Sequence, residues 1–191
     1  NFKVDATSPG FDADFVTELG GRLPGLAMAS RTVGSPQIRN RGTVGGNLGA
    51  ASPAGDSHPP LLAGYARIEV ESVRGSRQIA ADEFYTGVKR NALRPDELIK
   101  AVLMVPPAGP QQFCKIGTRN AMVISVAAFA VTLHPDRRTV GTGIGSAAPT
   151  PRRALAAEEF LAQSLAEDGL WESRGALPDA TSRRFADLVA D

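Results

Sequence analysis

The stretch Arg39-Asn40-Arg41-Gly42-Thr43-Val44-Gly45-Gly46-Asn47-Leu48-Gly49, followed at close range by Ser52-Pro53-Ala54-Gly55-Asp56, carries the strongest local signal in the chain. It lies in an irregular, glycine-dense run from Gln37 to Asp56, with five glycines between positions 42 and 55. A connection of that length needs a functional reason. Glycine pairs let a backbone adopt positive φ and approach a ligand closely, turning successive N–H groups toward one concavity that favours an anion. A diphosphate fits such a concavity. Thr43 and Asn47 add side-chain donors, and Ser52 and Asp56 can hydrogen-bond the hydroxyls of a sugar-like group. The same residues also admit a plainer reading, in which the glycines only make turns, Asn47 takes a left-handed conformation and Asp56 caps a helix beginning at Ser57. The run is not a P-loop, because no GxxxxGK[ST] occurs, and no G-x-G-x-x-G follows a strand and opens a helix as a Rossmann unit requires. Gly141-Thr142-Gly143-Ile144-Gly145 has the wrong spacing too; it lies in a predicted strand and reads as packing.

Outward from this run, Asp12 to Leu19 and Leu23 to Val33 read as helices, with Phe15 and Leu19 at i,i+4 and Pro24 at an early helical position. Ser57 to Tyr65 reads as a short helix. Arg67 to Glu71 alternates as a half-buried strand does, and Arg74-Gly75 turns it into Arg77-Gln78-Ile79, a hairpin pattern. Ala81 to Tyr85 reads as a helical turn, and Glu97 to Val105 as a strand stopped by Pro106-Pro107. That proline pair, with Gly109-Pro110, marks the expected domain boundary. Beyond it, Gln112 to Ile116, Ile124 to Leu133 and Thr139 to Ala147 read as three antiparallel strands, with Pro135-Asp136 turning the second into the third. Helices follow at Arg152 to Ala166, with Leu155, Ala156, Phe160, Leu161 and Ala162 as an apolar stripe, and from Arg183 to Val189.

Composition narrows the function classes. With 21 Lys+Arg and 20 Asp+Glu the net charge is +1, which gives no phosphate-tracking surface, so nucleic acid is not an expected partner. Hydrophobic residues at 42% and charged residues at 21% are ordinary globular usage, sufficient to bury a core. A single cysteine, Cys114, excludes an internal disulfide and supplies too few ligands for an iron–sulfur cluster. It reads as a small core residue. His58 and His134 are far apart and read as a helix-start and a turn residue, so no metal ligand set is expected. The pairs Arg137-Arg138 and Arg152-Arg153 read as solvated faces. No apolar run approaches a membrane span and no signal-peptide pattern is visible, so a cytoplasmic location without membrane contact is expected. The chain starts without Met and its first ten residues show no clear periodicity, which suggests that sequence upstream is missing.

The run from Ala29 to Leu48 (ASRTVGSPQIRNRGTVGGNL), with ASPAGD after it, resembles the FAD-binding subunit or domain of molybdenum hydroxylases, the family of xanthine dehydrogenase and the aerobic carbon monoxide dehydrogenase medium subunit. Three more blocks agree in order: LRPDELIKAVLMVP at 93–106, FCKIGTRNAMVISVAAFAV at 113–131 and GSAAPTPRRALAAEEFL at 145–161. The resemblance implies an α+β fold. Residues 1–107 would form the second lobe of a VAO/PCMH-type FAD-binding domain. Residues 108–191 would form a small flavoprotein C-terminal α/β domain, a three-stranded antiparallel sheet with helices. It also implies that Thr43, Val44, Gly45, Gly46 and Asn47 hold the FAD pyrophosphate, and that Ser52 and Asp56 contact the polyol region. Val33 and Ile99 would supply apolar or backbone contacts. Lys115 would stand near the isoalloxazine ring, where a positive charge favours the reduced, anionic form. No general acid, base or nucleophile is assigned to this chain.

Two family features are missing: the earlier A-G-G-x-x-L loop that completes the pyrophosphate cradle, and the D-x-R-x-x-x-x-Y-R segment expected after residue 189. Nanomolar FAD binding needs about 12 kcal/mol, whereas hydrogen bonds to a charged group contribute about 1.5–3 kcal/mol each. Weak FAD binding by this polypeptide alone is therefore expected. The implied function is electron relay, from 2Fe-2S clusters on an iron–sulfur subunit through FAD to NAD+ or another acceptor. Substrate oxidation would occur at a molybdopterin cofactor on a large subunit. Two other readings stay open: a stand-alone FAD-dependent reductase or oxidase of the same superfamily, and a non-catalytic scaffold.

Overall fold

In the computed structural model, residues 2–7, 11–173 and 175–191 are described. Strand β1 (Phe2–Asp5) is followed by helix α1 (Ala13–Gly20), which starts where the Asp12 carboxylate accepts the Phe15 N–H at 2.8 Å and buries Val16 and Leu19. Helix α2 (Pro24–Arg31) has Pro24 in its first turn, where no N–H is needed. The short helices α3 (Pro36–Arg39) and α4 (Val44–Ala50) begin at the caps Ser35 and Thr43. Helix α5 (His58–Ala63) leads into the hairpin β2 (Arg67–Ser72) and β3 (Gly75–Ala80). Then come α6 (Ala81–Phe84), the small pair β4 (Tyr85–Gly87) and β5 (Arg90–Asn91), and β6 (Leu98–Met104). The last part holds β7 (Gln111–Ile116), β8 (Ala127–His134), β9 (Thr139–Gly145), α7 (Leu155–Glu167), α8 (Leu170–Ser173) and α9 (Asp179–Ala190). Among the described residues no helix is long and apolar enough to cross a membrane.

The architecture is α+β, with two main antiparallel sheets. The first runs β1-β6-β2-β3, with Ile68 opposite both Val102 and Ile79, so alternation on the central strand delivers Ile68 and Val70 to one buried face. Against that sheet pack Leu19, Leu23, Leu26, Leu48, Leu61 and Phe84, each 1% exposed or less. The second runs β7-β8-β9, with a smaller cluster of Val140, Leu161 and Leu165 beneath α7. Pro106-Pro107 lies between the two sheets in sequence. They are joined in space by α5, which packs on β8 and β9.

That joint depends on the glycine stripe of β9. A Cβ at Gly141 would lie 2.0 Å from the Ala63 carbonyl oxygen, and one at Gly143 would lie 2.1 Å from that of Pro59. Backbone therefore lies on backbone, the packing role expected of this motif. His134 Nε2 donates to the Ala63 carbonyl at 3.0 Å and the Tyr65 hydroxyl to that of Val140 at 2.8 Å, which ties both edges of the contact.

Several sequence readings change. Gln37 to Asp56 is not irregular throughout, since α3 and α4 lie within it. The α4 helix is held by Val44 and Leu48, an i,i+4 pair that is fully buried. The first ten residues include β1, whose Val4 faces Val102. Strand β8 starts at Ala127 rather than Ile124, because Ile124 and Val126 are exposed. On α7 the buried positions are Ala157, Glu158, Leu161 and Leu165, while Leu155 and Ala156 face solvent. Cys114 is exposed, not core. His134 ends β8 and is buried, and Arg153 is held by Glu158 rather than solvated.

The α5–β9 contact predicts that Gly143→Ala destabilises the chain by about 1–3 kcal/mol or more, as overpacking does, read from the urea midpoint at constant m-value. Gly20→Ala, where a Cβ meets nothing within 4 Å, serves as the control and should be neutral or slightly stabilising.

Candidate functional site

Thr43 adopts extended backbone and its hydroxyl accepts the Gly46 N–H at 2.8 Å, while its carbonyl accepts the Asn47 N–H at 3.0 Å. The amides of Val44 and Gly45 thus stand in a first helical turn, without intrahelical acceptors. The two glycines differ. A Cβ at Gly45 would strike the Ala6 carbonyl at 2.6 Å, so that side is closed by the segment after β1, whereas at Gly46 the contact within 4 Å is the Thr43 hydroxyl itself, at 3.0 Å. Asn47 is helical, not left-handed; the left-handed residue is Ala51, which ends α4. The Asn47 side-chain oxygen accepts the Ser57 hydroxyl at 2.5 Å and pins α4 to the start of α5. Ser52 makes a turn, its hydroxyl accepting from Ala54 N–H at 3.4 Å and its carbonyl from Gly55 N–H at 2.9 Å.

Asp56 does not cap α5. Its carboxylate meets Lys115 Nζ at 2.6 Å, with the two side chains only 5% and 9% exposed. Thr32 Oγ1 donates to the same oxygen at 3.1 Å, Ser125 Oγ to the other at 3.4 Å, and Lys115 Nζ also donates to the Thr32 carbonyl at 3.2 Å. Burial pushes the Asp56 carboxyl above its usual range, outweighing the downward pull of Lys115, Thr32 and Ser125. Sequence reasoning named Asp56 and Lys115 but not each other's partner, and it missed Thr32, Ser125 and Ser146, whose hydroxyl lies 3.0 Å from that of Ser125. Thr32 and Ser125 do sit inside the sequence blocks that carry the resemblance.

This pair borders a cavity of about 290 Å³ that the α2–α3 connection and the segment after β7 enclose together. Val33, Asn47, Asp56 and Lys115 all line it, with Ile38, Met122 and Ile124 as apolar wall. Thr43 to Gly46 lie within one turn of Asn47 on α4. Ile99 stands apart, packed on the main core and 3.9 Å from where Gly49 would carry a Cβ. An apolar slot with one polar end suits a planar ring system that has donors and acceptors on one edge. Ile38, Met122 and Ile124 are 55%, 56% and 79% exposed, far above ordinary core values, as expected of walls that meet a ligand. The residues present therefore fit the ring and polyol portion of FAD, and the Gly46 side of α4 leaves room for its phosphates.

His58, at the start of α5, is fully buried, and its Nδ1 shares a hydrogen bond of 2.8 Å with the Tyr85 hydroxyl. Among the described residues Nε2 has no hydrogen-bond partner, although the Ser52 carbonyl is near enough to offset part of the burial effect; burial holds the imidazole down at about 4. Its folded value lies below the unfolded one, so its contribution is present above pH 6.5 and is lost as pH falls toward 4. Asp56 has the opposite sign, its shift favouring the folded state in acid. We expect stability to fall by about 3 kcal/mol from His58 over this window. Subtracting the pH–melting curve of His58→Gln from that of the unmodified chain isolates the effect, since Asp56 is common to both. Parallel curves would remove His58 as the cause.

A family described as the FAD binding domain in molybdopterin dehydrogenase matches residues 14–108. The chain is 38% identical over 122 residues to the nicotinate dehydrogenase FAD-subunit of Eubacterium barkeri, covering 61% of this chain and 41% of that protein. It is 35% identical over 144 residues to a putative xanthine dehydrogenase FAD-binding subunit of Escherichia coli K12, covering 72% and 49%. The chain thus spans less than half the length of these relatives. Among solved structures it is similar to carbon monoxide dehydrogenase from Hydrogenophaga pseudoflava, with a TM-score of 0.70 at 26% identity over 92% of this chain and 67% of that one. Over residues 14–108 the chain belongs to the family of FAD-binding domains of molybdopterin dehydrogenases.

Proposed function

We propose that this chain is the FAD-binding part of a cytoplasmic molybdenum-containing hydroxylase or dehydrogenase. It would serve electron transfer between iron–sulfur clusters on one partner subunit and NAD+ or another acceptor, with a large molybdopterin subunit oxidising the substrate. FAD, when bound, supplies the capacity to take up and release electrons singly or in pairs. The chain's own residues bind and orient. The Val44 and Gly45 amides, the Thr43 cap and the open side of Gly46 serve the diphosphate, with the Asn47 amide nitrogen, which has no hydrogen-bond partner among the described residues, as a further donor. Ser52 and Asp56 serve the polyol, and Val33 and Ile99 give apolar support.

The observation that carries this reading is the buried Asp56–Lys115 pair at the edge of a cavity walled by both halves of the chain. It also changes the role given to Lys115. With a carboxylate 2.6 Å away, the ammonium presents hydrogen-bond donors and little net charge, so it orients a ring edge more than it attracts an anion. Removing one member alone would strand the other as a buried charge, a cost of about 3–5 kcal/mol. The informative variant is thus the double Asp56→Asn/Lys115→Met, which deletes both charges together.

In a fluorescence-quenching titration the unmodified chain should bind FAD saturably, with Kd in the micromolar range, equivalent to about 8 kcal/mol. The double variant should bind at least about tenfold more weakly, while its urea midpoint stays close to the parent's. Equal FAD affinity in a folded double variant would overturn this placement of the flavin.

A further inference from the structure

A second cavity, of about 410 Å³, opens where the C-terminal end of α5 meets the β2–β3 hairpin and the 3₁₀ turn Pro135–Arg137. Its apolar lining includes Leu62, Ala66, Ala81 and Met104, each 4% exposed or less. Its polar lining includes Arg67, Arg137 and Arg153 against one carboxylate, Asp82.

Arg153 is fixed before any ligand arrives. Its Nε donates to Glu158 Oε1 at 3.0 Å, its Nη2 pairs with Oε2, and its guanidinium lies 4.7 Å from the centre of the Tyr65 ring, which also stacks on His134. Glu158 is buried and held in turn by the Thr142 N–H at 2.8 Å and hydroxyl at 2.7 Å. The remaining nitrogen, Nη1, stands 3.8 Å from Asp82, beyond direct hydrogen-bond range. Arg67 spends Nε on Gln78, and Arg137 has no side-chain hydrogen bond or ion pair among the described residues. Guanidinium forks beside an apolar floor are suited to planar or tetrahedral anions, and the volume is that of a small-molecule site.

We propose that this cleft binds a small organic anion, a carboxylate or phosphate monoester on an apolar group. The head meets Arg67, Arg137 and Arg153, and the apolar group covers Leu62 and Met104. The proposal is independent of the flavin reading, since none of these residues lines the Asp56–Lys115 cavity. Calorimetric titration of the 191-residue chain with phenyl phosphate, benzoate and inorganic phosphate tests it. Phenyl phosphate or benzoate should bind at one site, at least roughly fivefold tighter than inorganic phosphate, and the tighter of the two identifies the head group. The exposed pair Arg67→Ala/Arg137→Ala should weaken that binding roughly tenfold or more. Arg138→Ala, which removes a solvent-exposed partner of Glu172, should leave it unchanged. No saturable binding, equal affinity for inorganic phosphate, or unchanged affinity in the double variant would overturn the proposal.

Discussion

A carboxylate and an ammonium buried together, Asp56 and Lys115 at 2.6 Å, set the terms for the rest of the site. Desolvating both charges costs several kcal/mol per ion unless their geometry and remaining hydrogen bonds offset it. Thr32, Ser125 and the Thr32 carbonyl supply those bonds, and they come from the end of α2 and from the segment before β8. The pair therefore ties together parts of the chain 59 residues apart and lines the cavity between them.

Helix α5 converts that local constraint into architecture. Its N-terminal end follows the Asp56 loop and carries the buried His58, and its backbone lies directly against Gly141 and Gly143 of β9. Just past its C-terminal end stands Tyr65, stacked with His134 and covered by Arg153. Six residues of helix thus connect the cavity beside Asp56 and Lys115, the junction of two sheets and the arginine-lined cleft. Their rigidity follows from burial, since every residue of α5 is inside.

Much of this was legible in the residues. The Asp12 cap, Pro24 in a first turn, the 67–80 hairpin and the three antiparallel strands follow from cap chemistry, proline's missing donor and period-two alternation, all of which act over a few neighbours. The glycine-rich stretch reads as a ligand loop, and its family resemblance, with that of the blocks beside it, points to Thr43 to Asn47, Asp56 and Lys115. What escaped was nonlocal. Strand β1 has little pattern of its own and is stabilised by β6, about a hundred residues away in sequence. The exposure of Cys114, the half-burial of Arg153 beneath Glu158 and Tyr65 and the pairing of Asp56 with Lys115 likewise depend on which side chains arrive.

Sequence alone determined the resemblance to the family, the α+β class and the order of most of the elements, because short-range backbone and patterning rules and the ordered motif blocks act within contiguous stretches. Tertiary structure alone decided that Lys115 is charge-compensated, that Gly45 is closed while Gly46 stays open, and that three arginines meet in one cleft. Those outcomes are set by burial and by the need to compensate each buried charge, and both depend on neighbours that no local stretch of sequence contains.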